Sequence, residues 1–293
     1  MKNLLAALLL FPLGLLAADA PLRVAVCNYP LKFFTERLAG DQVRVIYPVP
    51  VDEDPAFWKP KDQDVSDFQQ ADLILMNGAT YSKWADKVTL PRHKVVDTSA
   101  SFKDKFITIA SATTHSHGPG GEHSHSGTAF TTWVDFQQAI AQLQAVRDAL
   151  IKKRPAAKDS IEKNFAALRT EIEALDARLL AAGKKLGNQP IAASHPVYHY
   201  FARRYGINLK EVLWEPEEVP TDAQMADLQK LLSTHPAKWM IWEGEPAKES
   251  VAKIATLGLK STVFDPCGNT PETGDWLSVM TANVANTEKM SAP

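Results

Sequence analysis

The stretch AAKDSIEKNFAALRTEIEALDARLLAAGKKL, residues 156–186, decides the architecture that the sequence predicts. Apolar residues recur in it every three or four positions and so form one stripe along a helix; they are Ile161, Phe165, Leu168, Ile172, Leu175 and Leu179. A helix of this length is about 45 Å long, because each residue adds about 1.5 Å. A second helical pattern, residues 136–153, precedes it and is interrupted by Pro155. We therefore expect linker helices over residues 136–187, the longer of which is a rigid backbone.

On both sides of this linker, short runs rich in Val, Ile and Leu alternate with amphipathic segments. The predicted strands are residues 22–26, 43–49, 72–77 and 94–97 before the linker, and 191–194, 209–214, 239–242 and 261–264 after it. Alternation of strands and helices at this spacing predicts parallel sheets with helices on both faces. The predicted fold class is therefore α/β, with two lobes over residues 21–135 and 188–293, each built on a roughly four-stranded parallel sheet.

Length and composition exclude several classes of protein. The chain has 293 residues, 45% of them hydrophobic, with 32 Lys and Arg against 34 Asp and Glu. This length corresponds to roughly two domains, and the composition is that of a globular protein. The near-neutral balance without a basic patch gives no reason to expect a nucleic-acid partner. Two cysteines are too few for a disulfide scaffold.

The first twenty residues have the pattern of a secretory signal peptide. Lys2 is followed by an apolar run from Leu4 to Leu16 and then by small residues. The run is too short for a comfortable transmembrane span. We expect cleavage near residues 17–20 and no lipid anchor, because no cysteine lies in the cleavage zone. The mature protein is therefore expected in the periplasm, as a monomer.

A histidine-rich loop, HSHGPGGEHSHSG, occupies residues 115–127 of the first lobe. Its glycines and proline predict a segment that is not ordered without a ligand. Its four imidazoles belong to His115, His117, His123 and His125. Neutral imidazole binds Zn²⁺, with Cu²⁺ and Ni²⁺ as alternatives, better than Ca²⁺ or Mg²⁺. The loop therefore predicts contact with a transition metal.

Further candidate ligands follow the strands of the second lobe. His195 comes directly after residues 191–194, at the strand edge where open α/β sheets bind ligands. His199 lies four residues further on, so both rings can share one helix face. Asp265 follows residues 261–264 and offers a carboxylate to the same site, although such a residue often only caps a turn. Glu215 and Glu245 are interpreted as acceptors that orient an imidazole, or as ligands themselves.

The two cysteines leave three interpretations open. Cys27 follows the first strand of the first lobe, and Cys267 follows the last strand of the second lobe. A disulfide is the usual state in an exported protein. Ligation of a metal by thiolate and burial as two unrelated thiols are the alternatives.

These features together resemble the periplasmic metal-binding proteins of zinc and manganese ABC importers, the cluster A-I solute-binding family, and in particular its zinc members with a histidine-rich loop. The similarity extends over nearly the whole mature chain. Its motifs are Tyr29-Pro30-Leu31, ADLILMNGA at residues 71–79, the histidine loop, Asn164 with Leu175-Asp176, HPVYHYFARRYGI at 195–207, Glu215-Pro216, Glu245-Pro246 and Asp265-Pro266.

The resemblance implies a metal site between the lobes, with two histidines from the first lobe and His195 and Asp265 from the second. The first lobe departs from this pattern, because Ala56 and Thr131 stand where the family has its histidines. The loop histidines are the favoured replacement. Oxygen from Asp52, Glu53 or Asp54 is the alternative, and loss of binding in the family manner is a third.

The resemblance also implies a function. The chain is expected to capture Zn²⁺, with Mn²⁺ as an alternative, and to deliver it to a membrane ABC permease with a cytoplasmic ATPase. A metallochaperone or adhesin of the same fold is the alternative, followed by a zinc hydrolase. The chain contains no nucleophile elbow, phosphate loop or HExxH helix, so we do not expect an enzyme.

Overall fold

The computed structural model describes residues 20–109, 114–116, 122–124 and 127–291. The first lobe contains β1 (Leu22–Val26), α1 (Tyr29–Ala39), β2 (Val43–Ile46), α2 (Asp62–Gln70), β3 (Leu73–Met76) and β4 (Val95–Asp97). The strands form a parallel sheet in the order β2-β1-β3-β4. The first helix begins directly after the first strand, because the Asn28 side chain accepts the Leu31 amide and Pro30 stands in the first turn.

The segment that contains the histidine loop forms two small antiparallel pairs. β5 (Thr108–Ile109) pairs with β8 (Gly127–Thr128), and between them β6 (Thr114–Ser116) pairs with β7 (Glu122–Ser124). The backbone of His115 lies opposite that of His123. The expectation of a segment without regular structure is corrected for these two short strands, because their backbone groups pair with each other. His117 and His125, like residues 1–19, lie outside the described residues.

The linker consists of α3 (Phe136–Lys153), a short turn at Pro155–Ala157 and α4 (Lys158–Leu186). All six apolar residues of the predicted stripe are buried in α4. The long helix begins two residues later than predicted, because Pro155 opens a 3₁₀ turn before it. Its 29 residues extend over about 43 Å. The predicted long backbone helix is confirmed.

The second lobe repeats the strand order of the first. It contains β9 (Pro190–Ala193), α5 (His199–Tyr205), β10 (Asn208–Glu211), α6 (Asp222–Thr234), β11 (Trp239–Trp242), α7 (Lys248–Ala255), β12 (Lys260–Val263) and α8 (Trp276–Met290). The parallel sheet has the order β10-β9-β11-β12. The predicted α/β class with two four-stranded parallel sheets is confirmed. The sequence analysis missed the last helix, α8.

The two lobes and the linker share one hydrophobic core. Trp276 of α8 contacts Phe34 of α1 edge-to-face, with ring centroids 5.1 Å apart, and Phe136 of α3 at 6.1 Å. Buried Asp176 of α4 accepts hydrogen bonds from Arg204 at 2.6 Å and from the Tyr205 hydroxyl at 3.0 Å. Such a continuous core resists bending between the lobes. Among the helices that the structure describes, none combines the length and the apolar character that a membrane span needs.

Candidate metal site

The carboxyl ends of the second-lobe strands form one wall of a cleft between the lobes. His195 follows β9 after one residue, Glu243 directly follows β11, and Glu215 lies four residues beyond β10. These side chains meet because parallel strands end at the same edge of their sheet. The Trp214 amide donates to the Ser194 carbonyl at 2.7 Å, which ties the Glu215 segment to the end of β9. The cleft has a volume of about 450 Å³ and is lined by residues of both lobes.

Within the described part of the chain, one group of three side chains has the spacing of a metal site: His195, Glu215 and Glu243. Their ligand atoms all lie within 4.8 Å of one another. The Nδ1 atom of His195 lies 3.3 Å from Oε1 of Glu243 and 3.6 Å from Oε1 of Glu215. His195 is only 2% exposed, so its ring is held in place by packing. One imidazole and two carboxylates form a mixed donor set that suits Zn²⁺ and also Mn²⁺.

The electrostatics of this wall favour a cation. Burial raises the pKa of Glu243 well above its ordinary value, and repulsion from Glu215 raises it further. Burial also raises the pKa of Asp265, which lines the same cleft. Crowded, desolvated carboxyl groups hold protons unless a positive charge replaces them. A divalent cation among these groups would supply that charge.

The first-lobe wall is different in kind. Asp52, Glu53 and Asp54 line the cleft and are exposed. The carboxylate of Asp54 accepts the amide of Ala56, which is buried, at 2.8 Å. The hydroxyl of Thr131 donates to the carbonyl of Val197 in the second lobe at 2.5 Å. At the two positions where the resemblance implies histidines, the chain therefore has a buried methyl group and an interlobe hydrogen bond.

Asp265 lies in the cleft wall, but it is not one of the three clustered residues. Its Oδ1 atom accepts the amide of Cys267 at 2.6 Å, as expected of a residue that caps a turn. Asn283 of α8 binds the backbone of Asp265 on both sides, through Asp265 N at 3.0 Å and Asp265 O at 2.6 Å. The structure thus places Asp265 beside the site and shows that it also shapes the loop after β12.

Sequence reasoning missed Glu243 and named Glu245 instead. The structure places Glu245 at an exposed position outside the residues that line the cleft. Glu243 is the residue that directly follows strand β11, as His195 nearly follows β9. The two glutamates differ in the sequence because only Glu243 directly follows a buried strand. The first residue past such a strand lies at the sheet edge.

The remaining candidates lie outside the three-residue cluster. Burial lowers the pKa of the His199 ring. Both cysteines are free and buried, so the structure contains no disulfide between them. The sulfur of Cys27 accepts the Asn77 amide at 3.1 Å, and burial raises the pKa of the thiol to about 11. Burial raises the pKa of Cys267 as well. Protonated thiols are poor metal ligands.

Two α/β lobes on a stiff helical linker, with an imidazole and carboxylates gathered in the cleft between them, define a metal-binding solute-binding protein. The family described as ZnuA, zinc-uptake complex component A, periplasmic, matches residues 24–290. The chain belongs to this family.

Three relatives illustrate the range of similarity. The zinc-binding lipoprotein AdcA of Streptococcus pneumoniae serotype 4 is 25% identical over 277 residues, which are 91% of this chain and 55% of AdcA. The chain thus spans about half the length of AdcA. The manganese ABC transporter substrate-binding lipoprotein PsaA of Streptococcus pneumoniae is 26% identical over 276 residues, 90% of this chain and 86% of PsaA. The crystal structure of Zn(II)-bound AdcA from Streptococcus pneumoniae has a TM-score of 0.77 at 20% identity, covering 92% of this chain and 58% of that one.

Proposed function

We propose that this protein captures Zn²⁺ in the cleft between its lobes and delivers it to a membrane ABC permease with a cytoplasmic ATPase. The observation that carries the proposal is the group of His195, Glu215 and Glu243 at the strand ends of the cleft. Membership of the zinc-uptake family supports the same conclusion. Relatives of both metal types exist, AdcA being a zinc-binding and PsaA a manganese transporter protein. Mn²⁺ is therefore the competing cargo.

The metal would be held mainly from the second lobe. His195 supplies nitrogen, and Glu215 and Glu243 supply oxygen, so three of the four positions of a tetrahedral zinc site are accounted for. The fourth donor in this proposal comes from Asp52, Glu53 or Asp54, whose segment lines the opposite wall. Asp265 remains a candidate in the same cleft. The loop histidines, which sequence analysis favoured for this role, are assigned in this proposal to accessory metal binding.

The fold limits how far the lobes can move when metal is captured. The shared core and the 29-residue helix allow little closure of the lobes, so capture is local to the cleft walls.

We propose that residues 1–20 are a signal peptide, that the mature protein is a monomer, and that it works in the periplasm. A metallochaperone or adhesin role without transport is the alternative. The relatives reported above, a zinc-binding and a manganese transporter lipoprotein, lend no support to the zinc hydrolase.

Titration of the metal-stripped protein with Zn²⁺, Mn²⁺ and Mg²⁺ tests the binding part of this proposal. We expect one tight Zn²⁺ per chain, weaker Mn²⁺ and no comparable Mg²⁺ binding, because imidazole disfavours the hardest cation. Absence of a tight Zn²⁺ phase would overturn it.

Growth and zinc uptake test the transport part. The gene, co-expressed with genes for its cognate permease and ATPase, should restore uptake at trace zinc to a strain that lacks its own high-affinity importer. Tight binding without restored uptake would favour the metallochaperone or adhesin.

A further inference from the structure

The loop after β12 reaches from the second lobe into the first. The indole Nε1 of Trp133 donates to the carbonyl of Pro266 at 2.7 Å, and the amide of Tyr29 donates to the carbonyl of Gly268 at 2.9 Å. Cys267 between them has a φ of +56°, a left-handed conformation that non-glycine residues rarely adopt. The bond from its amide to Asp265 holds that conformation. These bonds hold the loop in one conformation. We call this loop, residues 265–269, the clasp.

Asn269 at the end of the clasp binds the first lobe beside the cleft. Its Nδ2 donates to the carbonyls of Pro50 at 2.6 Å and Glu53 at 2.8 Å. Its Oδ1 accepts the hydroxyl of Tyr47 at 2.8 Å and the amide of Thr270 at 2.7 Å. Both donors and both acceptor positions of the amide are used, a combination that a carboxylate cannot reproduce.

One of the two carbonyls bound by Asn269 belongs to Pro50, which directly precedes the acidic segment, residues 51–54, of the first-lobe wall, and the other belongs to Glu53 within that segment. The side chains of this segment are exposed, and Val51 is 75% exposed, so packing does little to hold it. Asn269 itself lines the cleft together with the segment. An amide from one lobe thus fixes the backbone of an acidic segment of the other lobe, at the place where a cation would enter or leave.

We propose that Asn269 is a positioning residue that holds the acidic segment across the cleft from His195, Glu215 and Glu243, and thereby slows release of the bound metal. This inference rests on the proposed function, since it concerns the same cleft. Asn269 need not touch the metal. It acts through the backbone of Pro50 and Glu53, and loss of its bonds would loosen the acidic segment while the core that joins the lobes stays intact.

The test measures zinc release by stopped flow, mixing the Zn²⁺-loaded full-length mature protein with excess chelator. Asn269→Asp is nearly isosteric, retains acceptors for Tyr47 and Thr270, and places oxygen opposite the two carbonyls. We expect release about ten-fold faster, because two backbone hydrogen bonds are lost. The added negative charge would by itself attract the cation and slow release, so it cannot imitate this result.

Asn164→Asp is the matched control. It also loses an amide donor to a backbone carbonyl, that of Leu38 at 2.9 Å, and it adds the same charge. Leu38 lies near the end of α1, away from the edge where that helix begins after β1. We expect unchanged zinc release in this variant. Tyr47→Phe removes the hydroxyl that orients Asn269 and should accelerate release by a smaller factor, and it keeps the test open if Asn269→Asp folds poorly.

Zinc release at the wild-type rate in both Asn269→Asp and Tyr47→Phe would overturn the inference, and so would an equal acceleration in Asn164→Asp. A wild-type protein that binds no Zn²⁺ would instead count against the proposed function. Unchanged thermal stability of metal-free Tyr47→Phe, together with faster release from its loaded form, would separate positioning from a general structural role.

Discussion

The two walls of the cleft hold their candidate metal ligands in different ways. The second-lobe wall carries His195 and Glu243 within two residues of strand ends, where the sheet and core hold them, and His195 is 2% exposed. The first-lobe wall carries its carboxylates on residues 51–54, an exposed segment outside any strand or α-helix. The strand order of the two lobes is the same, yet only one lobe presents its donors from the sheet.

This difference assigns metal affinity to one wall of the cleft and the rate of metal release to the other. Donors at strand ends are preorganised, so a cation that binds them spends little free energy on ordering side chains. Donors on an exposed segment can approach or leave without disturbing a core, and Asn269 ties this segment to the second lobe. We therefore expect the second-lobe wall to determine how tightly metal binds and the first-lobe wall to influence how fast it leaves.

The strongest test of this division is His195→Ala. Structural zinc sites release up to about 16 kcal/mol from about four ligands, or about 4 kcal/mol per ligand, so the loss of one should weaken binding by as much as about 1,000-fold. Competition with a chelator of known affinity measures the change. His199→Ala, which removes the nearby histidine of α5, should bind zinc like the wild type. An equal loss of zinc affinity in both variants would show that His195 has no specific role in the site.

Exchange of carboxylates for amides distinguishes Glu243 from Glu245. Glu243→Gln removes an anionic donor 3.3 Å from the imidazole, and we expect zinc affinity to fall about 100-fold. Glu245→Gln changes an exposed residue outside the cleft lining and should have no measurable effect on affinity. The same chelator competition decides between them. The reverse order of effects would restore the interpretation based on sequence alone.

The cost of burying carboxyl groups in the second lobe can be measured without metal at Glu211, the last residue of β10. Burial raises its pKa from 4.5 to about 7. The folded state therefore binds the proton more tightly than the unfolded state, and stability falls as the pH rises from about 4.5 to about 7. Glu211→Gln should remove this loss and raise the free energy of unfolding at pH 8 by about 2 kcal/mol, a value discounted for partial exposure.

Urea denaturation of metal-free protein at pH 5 and pH 8 measures this effect. The variant and the wild type should differ little at pH 5 and most at pH 8. A constant difference at both values would assign the effect of the substitution to packing instead of ionisation.

The smallest expected effect belongs to the histidine loop. Deletion of residues 115–125 should lower the number of Zn²⁺ ions bound at saturation but change the affinity of the tight site by less than about three-fold, because the proposed donors of that site lie elsewhere. Equilibrium dialysis against a chelator measures both quantities. Loss of the tight site in the deleted protein would show that the loop fills the first-lobe positions, as the sequence favoured.

The sequence by itself determined the class of fold and the second-lobe imidazole. The stripe from Ile161 to Leu179 predicted the backbone helix, because a period of three to four residues has one structural meaning over so long a segment. The strands before His195 and Asp265 could also be predicted from the sequence. Both residues line the cleft, as expected at the carboxyl ends of parallel strands.

Only the tertiary structure decided which carboxylates meet that imidazole and what joins the lobes. Glu215, Glu243 and His195 follow three different strands, and their mutual distances depend on strand order and loop path, which local pattern does not encode. Asn269 is more than 200 positions from Pro50, so its bond has no signature in the sequence. Periodicity reports the environment of a residue along its own element, whereas a site is assembled from elements that only packing brings together.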